Sequence, residues 1–375
     1  MFLDISHFFL SPSIVWNLSY LFLCVYIIFI FSLLIYLIAG SNNHLNFNNF
    51  NKFYYLTGFD LTYFVLLPLF LYLLLNWSWV SPVTLAWFGH LIFSNFQFKF
   101  TYIFLFFFSL IIITYITTFY FSSSEVYDYL IVSYNFFFWL NLLYYSNNIF
   151  TFIFFIEVLS TLIILLLITS VFSSVYFYNN VSLTLNNYFQ YSTPFAFLQT
   201  LLFLFWISLI SSLNLFVSLT LFYIKFLTFN WFLLESIFSY ILLMQSQKSL
   251  FFVILMWFNF IFCIFLKCGV VPFYFWKPTF FKGLSYHSLM FYIIFFYFFL
   301  FNFLIYYFLI YLNDLFYFNI ITNLILLVLG LLMLFFLLLE SFYVKAFLAI
   351  SSIINTVFIF LAMSSFNIID LTLFF

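Results

Sequence analysis

Long apolar runs alternate along this chain with short polar interruptions, and the runs share a length. A helix needs roughly 20 apolar residues to cross ~30 Å of hydrocarbon. Runs that meet this requirement lie near 14–39, 60–80, 100–122, 126–147, 149–171, 197–224, 229–246, 249–273, 284–310, 318–339 and 342–363. The pattern predicts an all-α polytopic membrane protein with about eleven transmembrane helices. Polar stretches such as "GSNNHLNFNNFNK" after the first run and "NNVSLTLNNYFQYSTP" before the sixth read as loops. The stretch from Ser81 to Phe98 reads as a hairpin or a re-entrant connection.

Composition sharpens this picture. Only 5% of the 375 residues are charged and 68% are hydrophobic, which excludes a soluble domain with a polar surface. Eight lysines, no arginine and nine acidic residues leave no basic face for nucleic acid, so that partner class is excluded. Seventy-two Phe and 30 Tyr against six Gly and six Pro favour residues with A/T-rich codons, as expected of an organelle-encoded gene. The start "MFLDISHFFL" has neither a basic secretory n-region nor an Arg-rich transit peptide. Cys24, Cys263 and Cys268 form no metal-like or redox-like pair. The histidines at 7, 44, 90 and 287 form no pair at helical spacing for haem or copper, so no redox cofactor is expected on this chain.

The chemistry then rests on ionisable residues inside apolar runs, each of which costs about 2.5–3.5 kcal/mol at mid-membrane. Glu157 lies deep within "IFTFIFFIEVLSTLIILLLI", too far in for a short carboxylate to reach water. It is either a protonated glutamate bonded to a neighbouring polar group or a carboxylate paired with a buried lysine. Lys267 lies in an apolar run that continues through "CGVVPFYFW" to Trp276. Pro272 removes a helical donor from the Cys268 carbonyl, and Gly269 lets the backbone open, so a water-tolerant site for a proton relay is expected there. An interfacial anchor lysine is the alternative. Lys345 stands at a helix start, and Glu235, Lys225 and Lys248 lie near helix ends, where each alone reads as interfacial. Lys277 and Lys282 count among the lysines of the connections.

Four stretches resemble one family in order and spacing: "EVYDYLIVSYNFFFWLNLLYYSNNIFTFIFFIEVLS", "ESIFSYILLMQSQKS", "KCGVVPFYFWKPTFFKGLS" and "KAFLAISSIINTVFIFLAM". They resemble NADH dehydrogenase subunit 2 of respiratory complex I, collinearly from Glu125 to Met363. The resemblance implies an antiporter-like fold of two inverted repeats, spans four to eight and nine to thirteen. It assigns 1–124 to an N-terminal three-span region, 125–283 to the first half-channel repeat and 284–375 to an incomplete second repeat. Glu157, Lys267 and Lys345 would form a proton relay in the multi-pass mitochondrial inner-membrane arm. The family's seventh-span lysine falls on Ser239, so Lys248 or Lys225 would have to substitute, and the family's "PFHFW" histidine is Tyr274. No cofactor is implied on this chain. NADH, FMN, iron–sulfur clusters and ubiquinone belong to the assembly, with other membrane-arm subunits and lipids as partners. A cation/proton antiporter subunit and a degenerate structural scaffold are the alternatives. Eleven spans against the family's about fourteen imply a split subunit, in which a separate small chain supplies spans 12–14. Mass spectrometry of the complex purified with this chain is expected to find an unassigned hydrophobic chain of about three spans, and its absence would overturn the split.

Overall fold

The structure is a computed structural model and describes residues 84–86, 89–93, 123–181, 194–244, 247–283, 289, 291–293, 313–339, 341 and 343–363. The expected spans near 14–39, 60–80 and 100–122, and nearly all of the one near 284–310, lie outside the described residues. The chain divides into two compact units, Met1–Asn147 with Phe154–Asn186, and Asn148–Ile153 with Asn187–Phe375.

In the first unit, β1 (Thr84–Ala86) pairs antiparallel with β2 (Leu91–Phe93), Thr84 opposite Phe93. Of the two readings of 81–98, the hairpin is the one observed. Gly89 supplies the left-handed turn residue at φ 85°. The hairpin is bonded to the end of α1 (Ser123–Tyr144). The Ile92 N–H donates to the Tyr145 carbonyl at 2.8 Å, and the Asn147 N–H to the His90 carbonyl at 2.9 Å. The Asn147 side chain donates to the Gly89 carbonyl at 2.8 Å. Irregular backbone beside apolar helices thereby keeps its polar groups satisfied within the chain.

α1 departs from the expected span at 126–147 in one respect. It has the length, but it carries Ser133, Asn135 and Asn141, with Ser133 and Asn141 buried inside the unit. Among the described residues, four helices are long and apolar enough to cross a membrane, with windows Ile149–Leu166, Leu198–Phe226, Phe251–Cys268 and Val344–Leu361. They belong to α2 (Ile149–Val181), α3 (Pro194–Phe226), α5 (Gln247–Cys268) and α8 (Val344–Met363). Trp139 of α1 packs its ring against Phe154 and Phe155 of α2, at 6.1 and 5.8 Å between centres.

The second unit contains α3, α4 (Trp231–Met244), α5, α6 (Trp276–Gly283), α7 (Asn313–Leu339) and α8. α3 packs along α5, α6 lies against both α3 and α8, and α7 contacts α4, α5 and α8. Aromatic rings fill the centre: Phe222 of α3 meets Phe238 of α4 and Phe260 of α5, and Phe152 meets Trp231 and Phe260. The expected seventh span, 229–246, corresponds to α4, described over Trp231–Met244. α3 is longer than expected at 33 residues, and the chain breaks after it at Leu227, which takes a left-handed φ of 56°.

Two glycines permit the closest approaches. A Cβ at Gly283 would overlap the Thr200 side chain of α3, and a Cβ at Gly330 of α7 would overlap Val271. Small residues at such contacts let backbones approach where lipid offers no hydrophobic drive for helix association. Gly330→Val is expected to destabilise the protein by about 1–3 kcal/mol through overpacking, read as a lower thermal midpoint in detergent. Leu329→Ala, on the exposed side of α7, should change stability by less than about 0.5 kcal/mol.

Candidate functional site: the reversal at the end of α5

α5 is built from apolar and aromatic residues without an internal Gly or Pro, and it stops where Gly269 permits a left-handed turn at φ 65°. The Val270 N–H donates to the Phe265 carbonyl at 2.9 Å, and the Gly269 N–H to the Leu266 carbonyl at 3.4 Å. This is a Schellman stop, which satisfies carbonyls that a helix end leaves open. The Trp276 indole Nε1 donates to the same Leu266 carbonyl at 3.1 Å, drawing the start of α6 onto the end of α5. Phe273 packs edge-on against Phe262 of α5 at 4.6 Å. The turn thus folds back on its own helix.

The expected helix over 249–273 is therefore corrected. The apolar run does continue past Cys268, but as a reversal leading into α6. Gly269 terminates the helix here, and the Leu266 carbonyl is capped by Trp276. Lys267 is buried, at 8% exposure, and lies one residue before the end of α5, among Phe265, Leu266 and Cys268, which are buried as well. α8 closes this side, with Phe360 4.7 Å from Phe265 between ring centres.

Glu157 is half-buried on α2 in the first unit, where its carbonyl accepts a bond from Ser160 Oγ at 2.7 Å. Ser239 is half-buried on α4, and its hydroxyl donates to the Ser236 carbonyl at 2.9 Å. Lys225 is exposed in the last turn of α3, with Nζ 5.7 Å from the centre of the Phe252 ring. Lys248 is the second residue of α5, and its side chain lies outside the described residues. Lys345 is half-buried at the second residue of α8, and Glu235 is half-buried on α4. Tyr274 is half-buried in the reversal, and its carbonyl accepts from the Lys277 N–H at 3.0 Å.

The reversal also holds a residue that sequence reasoning counted only as a connection lysine. Lys277 is fully buried in the first turn of α6, at 0% exposure. Its Cδ lies 3.2 Å from where a Cβ on Gly269 would stand, so its stem covers the end of α5. Burial pushes its amine well below the usual lysine value, and the Cys268 thiol pulls weakly the other way. Its aromatic surroundings, "FYFWKPTFF", gave no distinguishing signal, since Lys225 and Lys282 have similar ones. Phe280 and Phe281 of α6 pack on buried Tyr292 at 5.0 and 6.1 Å.

With this geometry described, comparison with known proteins identifies the fold. No protein-family model and no curated protein matches the sequence. The structure is similar to a chain of respiratory complex I from Thermus thermophilus, solved with bound aureothin, at a TM-score of 0.59 and 15% sequence identity. The match covers 92% of this chain and 65% of that one. The two chains share a fold. This chain spans about two thirds of the length of its structural neighbour.

Gly269→Ala is expected to destabilise the reversal by about 1–2 kcal/mol, since a Cβ is disfavoured in the left-handed region. It would also stand 3.1 Å from the Trp276 ring. The change should appear as a lower thermal midpoint accompanied by faster hydrogen exchange of the Val270 amide.

Proposed function

We propose that this chain is a proton-translocating membrane-arm subunit of respiratory complex I, of the subunit 2 type, with the oxidoreductase chemistry carried by the rest of the assembly. The observation that carries this reading is the burial of Lys267 at a helix end that folds back on itself, in a chain whose fold is shared with a complex I chain. A lysine there that served only packing would be replaced by an apolar side chain at little cost, because taking an ammonium out of water is expensive. Its use is to take up and release a proton, with Glu157 and Lys345 as further members of the relay. The eleven-span, inverted-repeat layout and the mitochondrial inner membrane belong to the same proposal.

Ser239 favours a second reading, a scaffold that keeps the fold without pumping. Its position bears no charge, and its hydroxyl donates to the backbone of its own helix. The two readings part on one variant. Under the first, Lys267→Met assembles into the complex on a native gel stained for NADH oxidation, and proton translocation in sealed vesicles falls at least ~10-fold, the low side of what a positioned proton-transfer group contributes. Translocation at the wild-type level by an assembled Lys267→Met complex rejects the relay. Migration of the chain away from the NADH-oxidising band rejects the complex I reading altogether.

A further inference from the structure

Two buried lysines flank one buried thiol in this chain. Cys268 lies within electrostatic range of both Lys267 and Lys277 and is itself 2% exposed. Lys267 precedes it on α5, and the stem of Lys277 runs over Gly269, the residue that follows it. Two ammonium groups on either side of one buried thiol repel each other, so the pair favours a single added proton over two. Such a pair is a proton-transfer couple, because moving the proton from one amine to the other changes neither the net charge nor the number of N–H bonds.

We infer that Lys277 is the second proton-carrying amine of this half-channel and supplies the charge that Ser239 does not, an inference that rests on the proposed pumping function. Two other lysines are poorly placed for the role. Lys225 is exposed over the Phe252 ring, and Lys282 is exposed with Nζ 5.5 Å from the Tyr343 ring centre. Lys277 combines full burial, proximity to the Lys267 end of α5, and a position in the first turn of α6, where the helix dipole disfavours a fixed positive charge. Loss of hydration lowers its hold on a proton, and the helix dipole acts in the same direction. They bring it toward the range in which it can exchange one with Lys267 through water. In each step one N–H bond breaks on the donor amine and one forms on the acceptor, and the electron pairs stay on nitrogen.

The ionisable groups on the surrounding elements are few. α5 contributes Lys267, Cys268 and the buried Cys263, which lies within electrostatic range of Lys267, and Tyr292, which lies within electrostatic range of Cys268, is buried against Phe280 and Phe281. α8 carries half-buried Lys345 at its start. α3 meets α6 near Thr200, whereas its Tyr223 and Lys225 lie more than 20 residues further on, roughly 35 Å away along the helix at 1.5 Å per residue.

The test uses the assembled complex in sealed membrane vesicles with three single variants, Lys277→Met, Lys267→Met and Lys277→His, and the Lys267→Met/Lys277→Met double variant. The inference expects Lys277→Met to assemble and to lose proton translocation at least ~10-fold, with the double variant no worse than either single one, because the two amines act as a unit. Lys277→His is expected to pump, with the alkaline limb of its pH profile moved to lower pH, a change that a merely structural lysine would not produce. Lys277→Met within about twofold of wild type while Lys267→Met is impaired overturns the role of Lys277 and leaves the pumping function standing. If both methionine variants pump normally, the pumping function falls and the inference falls with it. If Lys277→Met fails to assemble, Lys277→Gln takes its place, and failure of both neutral variants makes Lys277 a structural residue and overturns the inference.

Discussion

The hydrogen bond from the Trp276 indole to the Leu266 carbonyl holds together the part of this protein where Lys267 and Lys277 are buried. An apolar helix that ends inside apolar surroundings must satisfy its last carbonyls from within the chain. α5 does so with the Schellman turn at Gly269 and with an indole donated from α6. That bond sets where α6 begins, and the start of α6 sets where Lys277 is buried. The stem of Lys277 therefore lies over Gly269, two residues beyond Lys267.

The same constraint runs through the rest of the described helices. Hydroxyl side chains turn back on their own helices: Ser211 onto Ser208, Ser218 onto Leu215, Ser352 onto Ala349 and Thr356 onto Ile353, each to the carbonyl three residues earlier. Such bonds let polar residues sit in an apolar helix without a partner from outside. Association between helices then depends on shape. Gly283 against Thr200 and Gly330 against Val271 are the points of closest approach, and Val271 belongs to the reversal itself. α7 thus presses directly on the turn that positions the lysines.

The helices themselves were legible because their signal is local. The runs at 149–171, 197–224 and 342–363 emerge as α2, α3 and α8 with modest changes of boundary, since nothing in them competes with a helix. One reading failed where local information was ambiguous. The run at 249–273 is apolar throughout, and hydropathy alone does not separate a helix that continues from a chain that turns back; the left-handed Gly269 decided it. The run at 229–246 emerges as α4, Trp231–Met244, with a break at Leu227 before it.

By itself, the sequence determined that this is a membrane protein of apolar helices and that Lys267 lies inside one of the apolar runs. Both follow from the cost of leaving polar groups in hydrocarbon, which is written residue by residue along the chain. The tertiary structure alone decided that Lys277 is fully buried, because α6 lies against α3 and α8, both distant in sequence, and folds back on the end of α5, a matter of packing and not of neighbours in sequence. It also decided that Lys225 and Lys282 face outward, although their surroundings in the sequence are no less aromatic. Whether a charge in an apolar run is exposed or enclosed depends on which helix packs across it, and that is settled only when the chain has folded.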